Sequence, residues 1–535
     1  MYWYYHVPVV LLLFISFGDG NEKCSSYDRI IECRNIDTIK ELSSETEAVT
    51  WGHVKVVNEV GAVFTITEQH NNQLRSVEYL DLSKSGRLIL SDHGFKDFEF
   101  LRALNISSTR LDAIKVSWFD RYNVLENLDL SHNSIEFLTP VELRNLPKLK
   151  ILNVSHNYIK SIEPKTFAHM TLLETLDLSF NLLQSIAFGE VPKLKALDLQ
   201  SNLLEVIPAA NSVSVFEGMP LLETLNLRLN NINEIASGAF SGMNRLKSLN
   251  LYGNQLKSIK QGIFTGMSRS RLEILDLSEN DLQDIADESF KELVRLQTLN
   301  LSANSLIQLS GKTFIGLQLV RRLYLCENDI YRLTEKTFEP LNSLELLDLV
   351  GNNLQTLSSQ VFGGSGSRLK KLFLSRNSIA SLPGDLFQLT PNIDYLSIAF
   401  NELTTLDPNL FSPLVNLKKL HLGHNLLEQI PPKAFDDINF VTELLIDHNK
   451  LTFLPESSHK DTLPKLVKAS IEGNPWQCPC LDLILGFLSV RNIDYRRDQY
   501  FDGQKPVCVV TRVDFCVRNL TLVKREGIVD LFTGR

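Results

Sequence analysis

The chain has 535 residues, 44% hydrophobic and 22% charged, with a formal net charge of −9. That is ordinary globular composition. The acidic balance, with no Lys/Arg-rich run and no glycine-rich phosphate loop, argues against nucleic acid as a main partner. In chain order, VPVVLLLFISFG (residues 7–18) comes first, an apolar run of twelve residues behind a leader without Lys or Arg. It is too short to span a membrane and suits the core of a signal peptide. Residues 1–20 are therefore expected to be removed and the mature chain to enter the extracellular space. Residues 21–73, with Cys24 and Cys33, read as an N-terminal cap and a first irregular coil.

From residue 74 to 473 the pattern LxxLxLxxN recurs about every 24 residues, in about 17 copies. Clear copies end at Asn133, Asn157, Asn181, Asn202, Asn230, Asn254, Asn280, Asn304, Asn328, Asn352, Asn377, Asn401, Asn425, Asn449 and Asn474, and degenerate ones at Ser85 and Thr109. Leucines at positions 4 and 6 point the same way in a strand, so Leu128 and Leu130 face a core and Asp129 faces away. The Asn amide turns the chain and can bond backbone groups of its own and the next coil. One coil cannot bury its own leucines, but a stack can. Self-similarity at this period predicts an α/β right-handed leucine-rich-repeat solenoid with a parallel concave sheet. A Phe ten residues after the Asn position recurs from Phe95 to Phe435, which reads as a packed spine on the convex side. Coils this short leave little room for long α-helices, so short 3-10 or irregular convex segments are expected. Intervals of 21 and 28 residues replace 24 between Asn181 and Asn230, so VIPAANSVSVF (206–216) is expected to bulge on the convex side.

Solenoid ends expose core and need caps. The cysteines flank the repeats, and small extracellular caps are commonly stapled by disulfides. Cys24–Cys33, Cys478–Cys508 and Cys480–Cys516 are the expected pairs, although spacing alone allows others. Residues 474–520 form the C-terminal cap and 521–535 a tail. Cys326 is the odd cysteine, at position 7 of its strand on the concave side. It is read either as an intermolecular disulfide or as a shielded thiol without a role. Sequons at Asn105, Asn153, Asn300 and Asn519 fit secretion, and the first three occupy position 5 of the sheet.

From Cys24/Cys33 through NPWQCPC (474–480) to Cys516, the chain resembles secreted extracellular leucine-rich-repeat proteins of animals, of insect type. Leucine-rich immune proteins of mosquitoes, Toll-type receptor ectodomains and the non-catalytic subunit of carboxypeptidase N are similar in kind. The NPW followed by CxC and two further cysteines is the specific part. The resemblance implies protein or ligand binding, usually without catalysis. Toll-type receptors continue into a membrane helix and a signalling domain, and the mosquito proteins often into a coiled coil. Neither follows Cys516 here, so the fold transfers more firmly than the immune role, and a soluble secreted protein with no membrane span is expected.

Position 5 is Asp or Asn from Asp129 to Asn300, expected to bond along the ladder, and then changes to Tyr324, Asp348, Phe373, Ser397, His421 and Leu445. With Arg322, Lys371, Arg376, Tyr395, Phe400, Lys419 and His424 beside them, these residues form the candidate ligand-binding face. Strands about 4.8 Å apart would make it contiguous. Aromatics beside Arg and Lys are typical hot-spot chemistry; mutual packing without a partner is the plainer reading. Histidines recur at position 8 as His132/His156 and His424/His448, with His421 and Asp447 nearby. Paired His can hold a metal or sense pH, but His is common before the Asn, so no metal and no cofactor are expected. No GxSxG or HExxH motif is present, and Ser, His and Asp fall at repeat positions, so no enzyme is expected. The expected function is a secreted recognition protein for an extracellular protein or glycan, including a microbial surface ligand, in innate immunity. A structural or carrier subunit, or an adhesion protein, is the alternative. Homo- and hetero-oligomers both remain open.

Overall fold

The computed structural model describes residues 23–41, 51–59, 61–67, 72–119, 124–187, 189–210, 213–455, 463–495, 507–520 and 522–533. The expected signal peptide lies outside them. The chain forms two compact units, Met1–Leu249 and Asn250–Arg535. It is a leucine-rich-repeat solenoid of about 18 turns built on a parallel sheet.

In the first unit, Cys24–Tyr27 pairs antiparallel with Ile30–Arg34, and the Cys24–Cys33 disulfide staples this hairpin. Ile30–Arg34 then pairs in parallel with His53–Val57, and the ladder runs on through Tyr79–Lys84, Ala103–Asn105, Asn127–Asp129, Ile151–Asn153, Thr175–Asp177 and Ala196–Asp198 to Thr224–Asn226. In the second unit a parallel ladder begins at Ile274–Asp276 and continues through Thr298–Asn300, Arg322–Tyr324, Leu346–Asp348, Lys371–Phe373, Tyr395–Ser397, Lys419–His421, Glu443–Leu445 and Lys468–Ser470 to Asp494–Tyr495. Each repeat strand covers positions 3 to 5, and the leucines at positions 4 and 6 are fully buried in Leu128, Leu130, Leu299 and Leu301.

The Asn ladder forms, but each Asn reaches back to the previous coil, where the next one is expected. All fifteen Asn residues from Asn133 to Asn474 are buried. Asn157 shows the pattern: its Nδ2 donates to Val154 O of its own coil and Leu130 O of the previous one, both at 3.0 Å. Its Oδ1 accepts from Ile135 N at 3.0 Å, so a buried amide is satisfied on both ends. Asn58 is a ladder member the sequence pattern missed. It follows Val56 by two residues instead of three, yet its Nδ2 donates to Ile36 O and Ser85 O. The Phe spine is buried and stacked, as in Phe314–Phe338 and Phe338–Phe362, each at 5.9 Å. Phe216 joins it, 6.2 Å from Phe240. The 28-residue coil displaces Phe216 by four positions from the expected spacing.

The side opposite the sheet is irregular as expected, with short 3-10 turns such as Val116–Trp118 and Gly363–Arg368. Paired two-residue strands add to it, for example Gln308–Leu309 with Arg332–Leu333. The long coil forms a small hairpin, Ala209–Ala210 against Val213–Ser214. At the C-terminal end, Cys478–Cys508 and Cys480–Cys516 close the cap around helix Cys478–Val490. Trp476 is buried beneath it and donates from Nε1 to Ile471 O at 2.8 Å. The segment read as a tail holds a helix, Leu522–Thr533, with Ile528 buried.

Candidate functional site

A feature of every coil positions the site. From Ser108 to Gly473, each residue at position 8 has φ between 50° and 68°. Only a left-handed residue there lets the chain leave the strand while its N–H reaches the next coil, as His424 N does to Asp447 O at 2.8 Å. Side chains at position 8 therefore project alike and stack. His132, His156 and Phe180 form one column, with centroids 4.0 and 4.1 Å apart. Phe400, His424 and His448 form another in the second unit, at 4.0 and 4.2 Å. Arg376 caps that column, its guanidinium 5.8 Å from the Phe400 ring centroid.

A second aromatic group runs across positions 3 and 5. Phe373 meets Tyr395 edge to face at 5.0 Å, and Tyr395 meets His421 likewise at 5.0 Å. The Tyr395 hydroxyl lies 3.3 Å from His421 Nδ1. Lys419 Nζ lies 5.6 Å from the Tyr395 ring centroid and 3.1 Å from Glu443 Oε2. Lys468 Nζ holds the other Glu443 oxygen at 2.8 Å. Burial alone would raise the Glu443 carboxyl, but hydrogen bonds and charge from Lys468 and Lys419 pull it down to about 2. Burial holds His421 below its ordinary value, with Nε2 at 3.6 Å from Glu443 Oε1. Burial also lowers His424, aided by the neighbouring His448.

The expected face is thus partly assembled. Lys371, Phe373, Arg376, Tyr395, Phe400, Lys419, His421 and His424 lie on three successive strands and their turns. Arg322 and Tyr324 stand apart, because the strand Leu346–Asp348 intervenes and puts Asp348 between Tyr324 and Phe373. The basic character is narrower than the sequence suggests, since Lys419 is neutralised by Glu443. Among the described residues, Lys371 and Arg376 have no carboxylate within ion-pair distance.

Position 7 departs from expectation. It lies on the concave side of the sheet, yet Ser131, Ser155, Asp447 and Glu472 are all buried there. Some of them are held by hydrogen bonds, as when Ser470 Oγ donates to both Glu472 carboxylate oxygens at 2.7 Å. Cys326 is accordingly half-buried and not exposed, and its Sγ donates to Ser302 Oγ at 3.1 Å. Burial, with Asp348 and Glu327 nearby, pushes its thiol up, away from the reactive thiolate. The position-5 Asp residues also differ from expectation: they bond within their own turn, as when Ser131 N donates to Asp129 Oδ1 at 2.9 Å. Neighbouring Asp side chains carry no donor for one another, so bonds along the ladder arise only where Asn supplies one, as Asn226 does to Asp198 at 3.0 Å.

Residues the sequence reading passed over sit at position 7. Ser375, Ala399 and Gly423 are small and are followed by Asp447 and Glu472. The small side chains floor a groove of about 320 Å³ that the two carboxylates close, between His421 on one side and Phe400 and His424 on the other. Reading position 7 down the chain as a column would have shown this shift from small to acidic. Asn105, Asn153 and Asn300 stand half-buried on the sheet strands, and Asn519 is exposed in the cap.

A leucine-rich-repeat family model matches residues 99–204 and 211–451 in overlapping segments. No curated protein matches the chain. Among solved structures, a leucine-rich-repeat protein of Leptospira interrogans is similar at 25% identity and a TM-score of 0.54, covering 82% of this chain and 96% of that one. A chain of the Drosophila Toll–Spatzle complex is similar at 16% identity and a TM-score of 0.55, covering 88% and 92%. The ectodomain of the Arabidopsis thaliana receptor kinase GASSHO1/SCHENGEN3, solved with Casparian strip integrity factor 2, is similar at 22% identity and a TM-score of 0.51, covering 79% and 53%. The last two likenesses concern the fold alone. With its repeats matched over more than half of its length, the chain belongs to the leucine-rich-repeat family.

Proposed function

We propose that this is a secreted, non-catalytic recognition protein that binds a protein or microbial surface ligand through the sheet face of its second unit. The observation that carries this reading is the Phe373–Tyr395–His421 chain of edge-to-face rings beside unpaired Lys371, with Phe400 exposed next to it. Rigid aromatics already held in place lose little conformational entropy on binding, which makes them good anchors. Disulfide-closed ends and an apolar leader over residues 7–18 support secretion. Among the described residues no helix is long and apolar enough to cross a membrane. Glycans at Asn105, Asn153 and Asn300 would occupy the sheet ahead of Arg322 and leave the aromatic group clear. A role in innate immunity is the biological setting we infer, by likeness in kind to receptor ectodomains. A carrier subunit is the second reading.

The test is affinity capture from the native extracellular fluid. Wild type is compared with a Phe373→Ala/Tyr395→Ala/Phe400→Ala variant of matched thermal stability. A partner held by the first and lost from the second is the expected result. Identical partners on both would remove this face from consideration.

A further inference from the structure

We propose that His424, Asp447 and His448 form a binding site for a zinc-type divalent metal ion. They are the one group of three or more His, Cys, Asp or Glu residues with converging donor atoms among the described residues, those atoms all lying within 4.8 Å of one another. His448 Nδ1 and Asp447 Oδ2 form a hydrogen bond in the metal-free arrangement, but the His424 contact is of a length that a shared metal ion explains better. Tetrahedral zinc, with bonds of about 2.0–2.1 Å, sets its ligand atoms about 3.3–3.4 Å apart. His424 Nε2 lies 3.4 Å and His448 Nδ1 3.1 Å from the same Asp447 oxygen, Oδ2. The first is too long for a charge-assisted hydrogen bond and close to the edge of such a tetrahedron. Two imidazoles and one carboxylate suit zinc, cobalt or copper rather than magnesium or calcium.

The fold makes room for this arrangement. His424 and His448 hold left-handed backbones at 54° and 50°, which align the rings in one column. Gly423 lacks the Cβ that would fall 2.6 Å from Asp447 Oδ1, so the carboxylate seats beside the His column. At Gly473 a Cβ would fall 2.7 Å from His448 Cδ2, so the absence of a side chain there lets that ring lie flat. The rings now stack 4.2 Å apart and 6° from parallel. Their side chains are 37% and 50% exposed and can turn about Cβ–Cγ to aim both lone pairs at one ion. The groove lined by Ser375, Ala399 and Gly423 is also lined by His424 and Asp447, so two of the three ligands face it. Histidines before the Asn are ordinary in this repeat, so the pair alone does not argue for a metal; what the structure adds is one Asp447 oxygen within 3.4 Å of both rings. This inference stands independently of partner recognition.

The test uses the whole mature chain without a histidine tag, titrated calorimetrically with Zn²⁺ and followed by visible absorption with Co²⁺. One ion per chain is expected, with tetrahedral Co²⁺ bands. Affinity should fall at least tenfold in His424→Ala, His448→Ala and Asp447→Asn, and also in Gly423→Ala, whose Cβ displaces the carboxylate. A His132→Ala/His156→Ala variant should bind like wild type, since the serines at position 7 there, Ser155 and Ser179, supply no carboxylate. Circular dichroism checks folding, and the near-isosteric Asp447→Asn decides if an alanine variant unfolds. Absence of Zn²⁺ binding overturns the site, as does binding that survives Asp447→Asn or is lost equally in the control.

Discussion

The imidazole of His424 lies flat against the ring of Phe400, centroids 4.0 Å apart and planes 9° apart. Both residues have φ of 54°, and the stack exists because the backbone, and not ring attraction, aims both side chains alike. No β-branched residue occupies position 8 from Ser108 to Gly473, as steric crowding in the left-handed region demands. Phe400→Ile is therefore expected to lower stability by about 1–2 kcal/mol relative to Phe400→Leu. Leu229 already holds this place at φ 54°. Urea midpoints of the two variants check it, and equal midpoints would show that backbone strain does not select the residue.

Asn181 gives a measure of the ladder. Its Nδ2 donates to Val154 O and Leu178 O, and its Oδ1 accepts from Ile159 N at 3.0 Å. Asn181→Ala leaves these buried backbone groups without partners and should cost about 2–4 kcal/mol. Asn181→Asp should do similar damage, because a carboxylate cannot donate to the two carbonyls. Hydrogen exchange at Ile159 N should rise in Asn181→Ala and less in Asn181→Asp, whose carboxylate still accepts from that amide.

The solenoid was legible because its determinants are periodic. Leu128 and Leu130 reveal the core and Asn133 the turn. Asn58 and Phe216 escaped the pattern, one through a deletion in the spacing and one through an insertion, although the same bonds and packing hold them. The binding face was only half legible. Phe373, Tyr395 and His421 share neighbouring strands, so position counting brought them together. Their charge balance depends on Glu443 and Lys468, which lie one and two strands beyond Lys419 and enter only when side-chain reach is known. Cys326 is half-buried with its thiol bonded to Ser302 of the previous coil, a contact between coils that strand alternation does not reveal.

Asp129 tests the acidic half of the sheet. Burial raises its carboxyl above the ordinary value, opposed by bonds from Ser131, while Asp177 adds like charge. A raised acid pKa means the charged form is disfavoured in the fold, so the penalty is present at neutral pH and disappears as pH falls below the unfolded pKa. Asp129→Asn keeps the bond to the position-7 amide, as Asn153 does with Ser155 N at 3.0 Å. It should stabilise the chain by about 0.5–1 kcal/mol at pH 7, with no gain at pH 3. The substitution creates a sequon with Ser131, so the protein is made in a host without N-glycosylation. Thermal melts at the two pH values provide the readout.

Glu443 has the opposite sign. Its folded pKa of about 2 lies below the ordinary 4.5, so its ion pairs stabilise the fold fully above pH 4.5 and lose that effect as pH falls toward 2. Glu443→Gln should lower stability at pH 7 by on the order of 1–2 kcal/mol, allowing for solvent screening of the two lysines. The gap from wild type should close across that acid window. Salt should narrow it at pH 7 as well. The same change frees Lys419 and Lys468 and makes the aromatic face more basic. An anionic ligand on that face should then bind more tightly to the variant, whereas a cationic one should bind less tightly. Measuring both stability and partner affinity on Glu443→Gln separates its part in the fold from its part in setting the charge of the site.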